Sequence, residues 1–265
     1  MRNATIALSG KGGVGKTSIA ALLIKKLSEV GSVLAIDADP DSNLPHALGV
    51  TVETTVGQAR ESVVKSPIRS KGMKSKDEAM KLMVSKTIQE FDDFDLVVMG
   101  RSEEGGCYCY INNIIRQVID LRSNSYDFTV IDCHAGLEHL SRRTTKGVDI
   151  LIVVAEPTKN GILTARRVID LSQELAIDVE NVFFIANKVT PEIKPILDKT
   201  AKENDLRVDV YVPFEKAIAD FNIHGNPVVN IAPESPVKAA VDMIYEKIFN
   251  ADSTTEFEAT ISKTQ

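Results

Sequence analysis

A glycine-rich segment at residues 10–17, GKGGVGKT, has the spacing of a phosphate-binding loop. It follows a short apolar run and opens a long helix-like segment, which is the context that this motif requires. Glycines let backbone amides wrap around phosphate oxygens, and the positive end of the following helix faces the same anion. The motif predicts a nucleotide site in which Lys16 reaches the β- and γ-phosphates and Thr17 is a ligand of Mg²⁺. The predicted phosphate-binding residues are Gly12, Gly13, Val14, Gly15, Lys16, Thr17 and Ser18.

Carboxylates follow two of the apolar runs at the points where those runs end. Asp37, Asp39 and Asp41 lie in IDADPDSNL at residues 36–44, and Asp132 lies near the end of FTVIDC. Carboxylates at the carboxyl ends of parallel strands stand in the crevice where nucleotides bind. A turn around the Asp-Pro pair is the structural alternative for each of the first three, and their spacing does not decide which has which role.

Two further residues of interest, Cys133 and His134, come directly after Asp132. A single cysteine at the end of a buried strand is more often a small hydrophobic residue than a metal ligand. The spacing assigns no role to His134.

Cys107 and Cys109 are two of only three cysteines in 265 residues, and they stand one residue apart, just ahead of an apolar run. A thiol near a helix N-terminus has a lowered pKa, and the nearby Arg101 acts in the same direction. Thiolates bind soft metals, but such metals prefer four ligands and one Cys-x-Cys offers two. A reduced surface pair is one alternative, and a redox disulfide, strained in so short a ring, is another.

Short apolar runs alternate with longer helical patterns, and these elements must position the side chains. The runs are β-branched and nearly continuous in hydrophobicity, which is typical of strands buried on both faces of a parallel sheet. The alternation predicts an α/β fold with a doubly wound, mostly parallel sheet of about seven or eight strands flanked by helices. The predicted strands cover residues 5–9, 32–37, 95–100, 128–133, 149–156, 181–187 and 207–213, and two predicted helices cover 16–31 and 161–177.

Two segments break this alternation. Residues 51–94 are long, polar and dotted with lysines, and we expect one or two helices over the sheet edge there. Residues 251–265 have no apolar period, which predicts a disordered C-terminal tail after a single P-loop domain over residues 1–250.

The composition limits the partners and the compartment. With 43% hydrophobic and 26% charged residues, the chain suits one large domain with a buried core. A formal net charge of −6 argues against a general binder of nucleic acid, and no apolar run approaches the ~20 residues that span a membrane. The N-terminus has no signal-peptide pattern and three cysteines make no disulfide framework, so we expect a cytoplasmic protein.

A second lysine in the glycine-rich loop, Lys11, makes GKGGVGK resemble the deviant Walker A loop of the SIMIBI-class ATPases. This family includes nitrogenase iron protein, the MinD and ParA positioning ATPases and the metal-insertion ATPases. The resemblance implies a homodimer in which Lys11 reaches the partner's ATP, as a cation supplied in trans to the transferring phosphoryl group. A solvated loop lysine is the alternative.

The same resemblance implies roles for the residues at the strand ends. Asp39 would orient or deprotonate the attacking water, and Asp132 would hold Mg²⁺ through water. Asp37 or Asp41 would serve Mg²⁺-bound waters or the subunit interface. The implied nucleotide-base site comprises Asn187, Lys188, Pro213 and Phe214, and the backbone of Gly136 would sense the γ-phosphate.

The motif GGCYCY, with DPDSNL and AGLEHL, resembles the CooC and AcsF nickel-insertion ATPases of this family. The resemblance implies that Cys107 and Cys109 bind Ni²⁺, or Zn²⁺, at a dimer interface where the partner supplies two more thiolates. It implies a dimer formed on binding ATP or metal, with apo carbon monoxide dehydrogenase or acetyl-CoA synthase as the client. The alternatives are a positioning ATPase of the MinD or ParA type and an iron–sulfur-carrying reductase ATPase.

Overall fold

The structure is a computed structural model that describes residues 3–65, 84–101, 108–134, 148–174 and 179–249. The predicted tail at 251–265 lies outside these residues, as do Cys107 and Gly136. Within the described ranges, no helix has the length and apolar character needed to cross a membrane.

Eight strands of the described part of the chain form one sheet, and seven of them run in parallel. Hydrogen-bonded neighbours pair in the same direction everywhere except at the edge pair β3 and β4, which is antiparallel. The strand order is β3-β4-β2-β5-β1-β6-β7-β8, which confirms the predicted doubly wound sheet. The strands are β1 (Ala4–Ser9), β2 (Val33–Ala38), β3 (Ile88–Glu90), β4 (Asp95–Val98), β5 (Phe128–Cys133), β6 (Val148–Ala155), β7 (Val179–Val189) and β8 (Val210–Pro213).

Helices cover both faces of the sheet. The first, second and last of them pack over one apolar cluster, and the third to sixth pack over a second cluster on the other face. Because the central strands are buried on both sides, neighbouring residues such as Leu8 and Ala7 belong to different clusters. The helices are α1 (Lys16–Ser28), α2 (Leu44–Leu48), α3 (Val56–Lys65), α4 (Tyr108–Arg122), α5 (Lys159–Glu174), α6 (Lys194–Lys202), α7 (Lys216–His224) and α8 (Pro236–Phe249).

The segment at 51–94 differs in part from the prediction of one or two helices. Helix α3 is present and packs against α4, and residues 84–87 are also helical, but residues 88–90 form β3, the antiparallel edge strand beside β4. Three residues are too few for an alternating pattern to stand out from a polar sequence. The strand is held by pairing with β4 and by Gln89, whose amide donates to the Thr54 carbonyl at 2.8 Å.

The central parallel strands end at one edge of the sheet. Strands β2 and β5 are in register, with Asp37 opposite Asp132, and β1 lies on the other side of β5. The loops that leave these strands therefore start side by side, and this edge carries the predicted nucleotide site.

Candidate functional site

The phosphate-binding loop connects β1 to α1 through three glycines with positive φ. Gly10, Gly13 and Gly15 have φ values of 145°, 81° and 94°. A Cβ on Gly10 would lie 2.1 Å from the carbonyl oxygen of Val154 in β6, so the loop begins where only glycine fits. Gly15 is the N-cap of α1, which starts at Lys16 with free amides, as an anion site requires.

The two lysines of this loop differ in burial. Lys16 is buried, and its Nζ donates to the carbonyl of Lys11 at 3.1 Å, so its ammonium lies across the loop. The Lys11 side chain is exposed and borders a groove of about 400 Å³ beside α5. The groove is lined by Gly10, Lys11, Asn160, Leu163, Thr164, Arg167 and Val168. Lys16 therefore faces inward, and Lys11 faces a surface that a second molecule can reach.

Thr17 and Asp132 form a pair of oxygen groups suited to Mg²⁺. The Thr17 hydroxyl donates to Asp132 Oδ2 at 2.6 Å, which leaves the hydroxyl lone pairs free for a cation. The other oxygen, Oδ1, is buried without a hydrogen-bond partner among the described residues. Mg²⁺ takes hard oxygen ligands and retains several waters, so these residues fit a hydrated Mg²⁺.

Burial raises the pKa of two neighbouring carboxyl groups. The pKa of Asp37 rises to about 8 because of burial and, next, the charge of Asp132. Burial also raises the pKa of Asp132 to about 6, against the hydrogen bond from Thr17 and the charge of Lys16. Two carboxyl groups on adjacent strands thus share a site where negative charge is costly, and a cation there would relieve this cost.

The three acids after β2 have three different positions. Asp37 is fully buried, and its oxygens accept the backbone N–H groups of Asp39 at 3.0 Å and Leu44 at 2.9 Å. Asp39 is partly exposed, and its Oδ1 accepts the backbone N–H of Asp41 at 2.9 Å. Asp41 is exposed and forms an ion pair with Arg101. Asp37 therefore anchors the loop, while Asp39 lies nearer the solvent-accessible site.

Asn187 and Lys188, at the end of β7, hold the outside of the phosphate loop. Asn187 Nδ2 donates to the Val14 carbonyl at 2.7 Å, and a Cβ on Gly15 would lie 2.3 Å from this nitrogen. Lys188 has φ 60° and its Nζ donates to the Gly13 carbonyl at 3.0 Å. Base binding by these two residues stays a prediction, but their observed contacts are with the loop.

Glu156, directly after β6, completes this support. Its carboxylate forms an ion pair with Lys188 at 2.7 Å. Glu156 is not among the predicted site residues, although an acid at the end of a buried strand is the same signal that indicated Asp132. Its partner lies in another strand, so nothing local to the chain indicates the bond.

The remaining predicted residues lie at the same edge or outside the described part. Pro213 ends β8, and Phe214 donates its backbone N–H to the Val189 carbonyl at 3.0 Å while its side chain is 55% exposed. Cys133 is buried in the core, as predicted. Cys109 lies in the first turn of α4 rather than in a loop ahead of the helix, and Cys107 is not described.

The contacts of Asn187 lead to a first prediction. Asn187→Ala should weaken binding of Mg²⁺-ATP and Mg²⁺-GTP alike, by about tenfold, because it removes a buried hydrogen bond that shapes the loop. Calorimetric titration of both nucleotides measures this. If the amide instead binds adenine, only the affinity for ATP will fall. That result would contradict a role of Asn187 in shaping the phosphate loop.

Comparisons with known proteins agree with this geometry. The family model of the CobQ/CobB/MinD/ParA nucleotide binding domain matches residues 5–228. An uncharacterized ATP-binding protein of Methanocaldococcus jannaschii is 46% identical over 249 residues, covering 92% of this chain and 98% of that protein. The carbon monoxide dehydrogenase accessory protein CooC of Rhodospirillum rubrum is 30% identical over 248 residues, covering 88% and 92%.

Solved structures are similar in fold. The MinD cell division protein of Aquifex aeolicus superposes with a TM-score of 0.65 at 21% identity, over 93% of this chain and 97% of that one. At this identity the likeness concerns the fold alone. The family match over most of the chain, with the loop geometry described above, shows that this P-loop ATP-binding protein belongs to the CobQ/CobB/MinD/ParA nucleotide-binding family.

Proposed function

We propose that the protein is an ATP-hydrolysing metallochaperone that carries a soft divalent metal, Ni²⁺ or Zn²⁺, and inserts nickel into carbon monoxide dehydrogenase or acetyl-CoA synthase. The observation that carries the proposal is the Cys-x-Cys motif of the sequence, whose second cysteine lies at the start of α4 in a P-loop ATPase fold. Cys109 lies in the first helical turn, where the helix dipole favours the thiolate form that binds metal.

Two further observations support the cargo and the client. Helix α4 follows β4, and β4 pairs with β2, the strand that leads to Asp39. The Cys-x-Cys motif therefore comes after the strand that lies next to β2. The similarity to CooC of Rhodospirillum rubrum, a carbon monoxide dehydrogenase accessory protein, extends over 88% of the chain. Because β4 and β2 are neighbours in the sheet, metal cargo and nucleotide would bind close together in the fold.

The catalytic roles follow from the positions of the side chains. Lys16 holds the β- and γ-phosphates, while the amides at the start of α1 bind phosphate oxygens. Thr17 and Asp132 would hold Mg²⁺ through its waters, and the bound ion would supply positive charge against the transferring phosphoryl group. Asp39 orients the attacking water and accepts its proton, since it is the partly exposed acid of the loop.

Dimerisation links hydrolysis to metal transfer. Two copies close around ATP so that the exposed Lys11 of each reaches the other's triphosphate. A two-fold axis near the head of α4 would bring Cys107 and Cys109 of both copies together as four thiolates. Hydrolysis removes the γ-phosphate contacts, the dimer relaxes, and the metal is released to the apo-enzyme.

Metal stoichiometry tests this proposal. The wild-type dimer loaded with a non-hydrolysable ATP analogue should bind one Ni²⁺ or Zn²⁺ per two chains, and Cys107→Ser/Cys109→Ser should bind none. Elemental analysis after gel filtration measures both. Cys133→Ala, which removes the buried third cysteine, is the matched control and should bind as the wild type does. Full stoichiometry in the double variant would refute the metal site.

A further inference from the structure

Two side chains at the end of β7 hold neighbouring carbonyl groups of the phosphate loop. Lys188 Nζ donates to the Gly13 carbonyl at 3.0 Å, and Asn187 Nδ2 donates to the Val14 carbonyl at 2.7 Å. In a planar trans peptide, the carbonyl of one residue and the N–H of the next point in opposite directions. The backbone N–H groups of Val14 and Gly15 are therefore turned away from these side chains, toward the interior of the loop.

A local irregularity of the sheet brings Lys188 to this position. The pairing of β7 with β8 has a register shift between Ala186 and Val189, and Lys188 has φ 60°, in the left-handed region that non-glycine residues rarely adopt. Such an irregularity re-aims a side chain and is common beside active sites. Backbone strain of this kind persists only where the surrounding contacts hold it, and it is concentrated at functional sites. The register shift thus directs the Lys188 ammonium to the phosphate loop and strains the backbone in doing so.

Glu156 holds the same ammonium from another side. Its carboxylate Oε1 lies 2.7 Å from Lys188 Nζ. The backbone of Glu156 is itself fixed just ahead of α5, since its carbonyl accepts the Thr158 N–H at 2.7 Å and a Cβ on Gly161 would lie 2.2 Å from this oxygen. The Lys188 ammonium is therefore held between a fixed carboxylate and the Gly13 carbonyl.

Folding stability does not explain this arrangement. The side chains of Lys188 and Glu156 are 43% and 41% exposed, and ion pairs so exposed contribute little to stability. The carboxylate also offsets the charge of the ammonium, so Lys188 acts on the loop as a hydrogen-bond donor more than as a free cation. A donor in this place orients a peptide, whereas an unpaired lysine would be drawn to the phosphate itself.

We propose that Lys188 and Glu156 are positioning residues that fix the peptide between Gly13 and Val14, so that the Val14 N–H is aimed at the diphosphate unit before a nucleotide binds. The ammonium holds the carbonyl on one side of this peptide, and the amide on the other side binds a phosphate oxygen. A group oriented in advance loses less freedom on binding, which raises affinity. Because only phosphate is recognised in this way, the contribution is the same for any base and needs no metal cargo.

Inorganic pyrophosphate tests the role of Lys188, because it has the two linked phosphates of ADP and no base. Lys188→Met should weaken binding of Mg²⁺-ADP and of Mg²⁺-pyrophosphate by the same factor, about tenfold, through loss of a charge-assisted hydrogen bond. Lys188→Arg, which keeps a donor, should regain most of this loss for both ligands. Glu156→Gln, which keeps an acceptor without its charge, should weaken both by about threefold. Calorimetric titration measures each affinity.

A matched variant on another helix serves as the control. Lys199→Met breaks an exposed ion pair with Glu203 on α6 and should leave both affinities unchanged. A loss for Mg²⁺-ADP alone would make Lys188 a base-binding residue and overturn the inference. An unchanged affinity of Lys188→Met for both ligands, or Lys188→Arg no better than Lys188→Met, would also overturn it. No thiol takes part in these titrations, so a failure of the proposed metal site is recognised separately, by the metal stoichiometry of the cysteine variants.

Discussion

Replacing Lys11 by alanine should lower ATP turnover by about a thousandfold or more, since a cation supplied in trans is worth that much in phosphoryl transfer. The Lys11 side chain is exposed at the mouth of the loop, whereas Lys16 lies across the loop and would still hold phosphate in the variant. Steady-state phosphate release measures the loss. Lys11→Arg is the matched control and should keep a measurable part of the rate.

Mixing two inactive variants decides whether Lys11 acts in trans. Asp39→Asn should be inactive because its own site lacks the acid that orients water. In a mixed dimer, the site on the Lys11→Ala chain retains Asp39 and receives an intact Lys11 from the other chain. An equal mixture should therefore regain about a quarter of the wild-type rate, because half of the dimers are mixed and each has one complete site. No recovery on mixing would contradict an exchanged lysine.

The buried Asp37 carboxyl should make the free energy of unfolding depend on pH. The folded-state pKa of this carboxyl is about 8, against the ordinary value of 3.8 expected in the unfolded chain. Its contribution to stability is complete below pH 3.8 and is lost as the pH rises through 8, because between these values only the folded state keeps the proton. The free energy of unfolding should thus fall by about 1.4 kcal/mol per pH unit from this group alone.

Chemical denaturation in excess EDTA, between about pH 6 and about pH 8, measures this slope in a range where ordinary carboxyl groups do not titrate. Asp37→Asn should flatten the slope, even though one of the two backbone N–H groups loses its acceptor oxygen. Asp149→Asn, which also removes an acceptor of a backbone N–H but at the opposite end of the sheet, should leave the slope unchanged. Equal slopes for the wild type and Asp37→Asn would refute the buried proton.

The phosphate loop could be predicted because its essential contacts are local. Lys16 bonds to the carbonyl of Lys11 within the same loop, and α1 begins at Lys16 as the motif requires. The sheet was predictable for a related reason, since strands buried on both faces need continuous apolar runs. The edge strand β3 has no such run, and pairing with β4 determines it.

The roles of the three acids after β2 could not be assigned from their spacing. Asp37, Asp39 and Asp41 alternate regularly, yet one is buried, one is partly exposed and one is paired with Arg101. Burial depends on what the neighbouring strand places opposite each residue. Asp132 stands beside Asp37 only because β2 and β5 pair in that register.

By itself, the amino-acid sequence determined the α/β class, the phosphate loop and the candidate acids and thiols, because these depend on short-range periodicity and on motifs complete within a few residues. Only the tertiary structure decided that Asp37 anchors its loop, that Asn187, Lys188 and Glu156 brace the phosphate loop, and that Asp41 contacts Arg101. The contacts of Asn187, Lys188, Glu156 and Asp41 join residues from different strands or loops, and the burial of Asp37 depends on the strands beside it. These features are set by how the sheet pairs and twists rather than by any pattern along the chain.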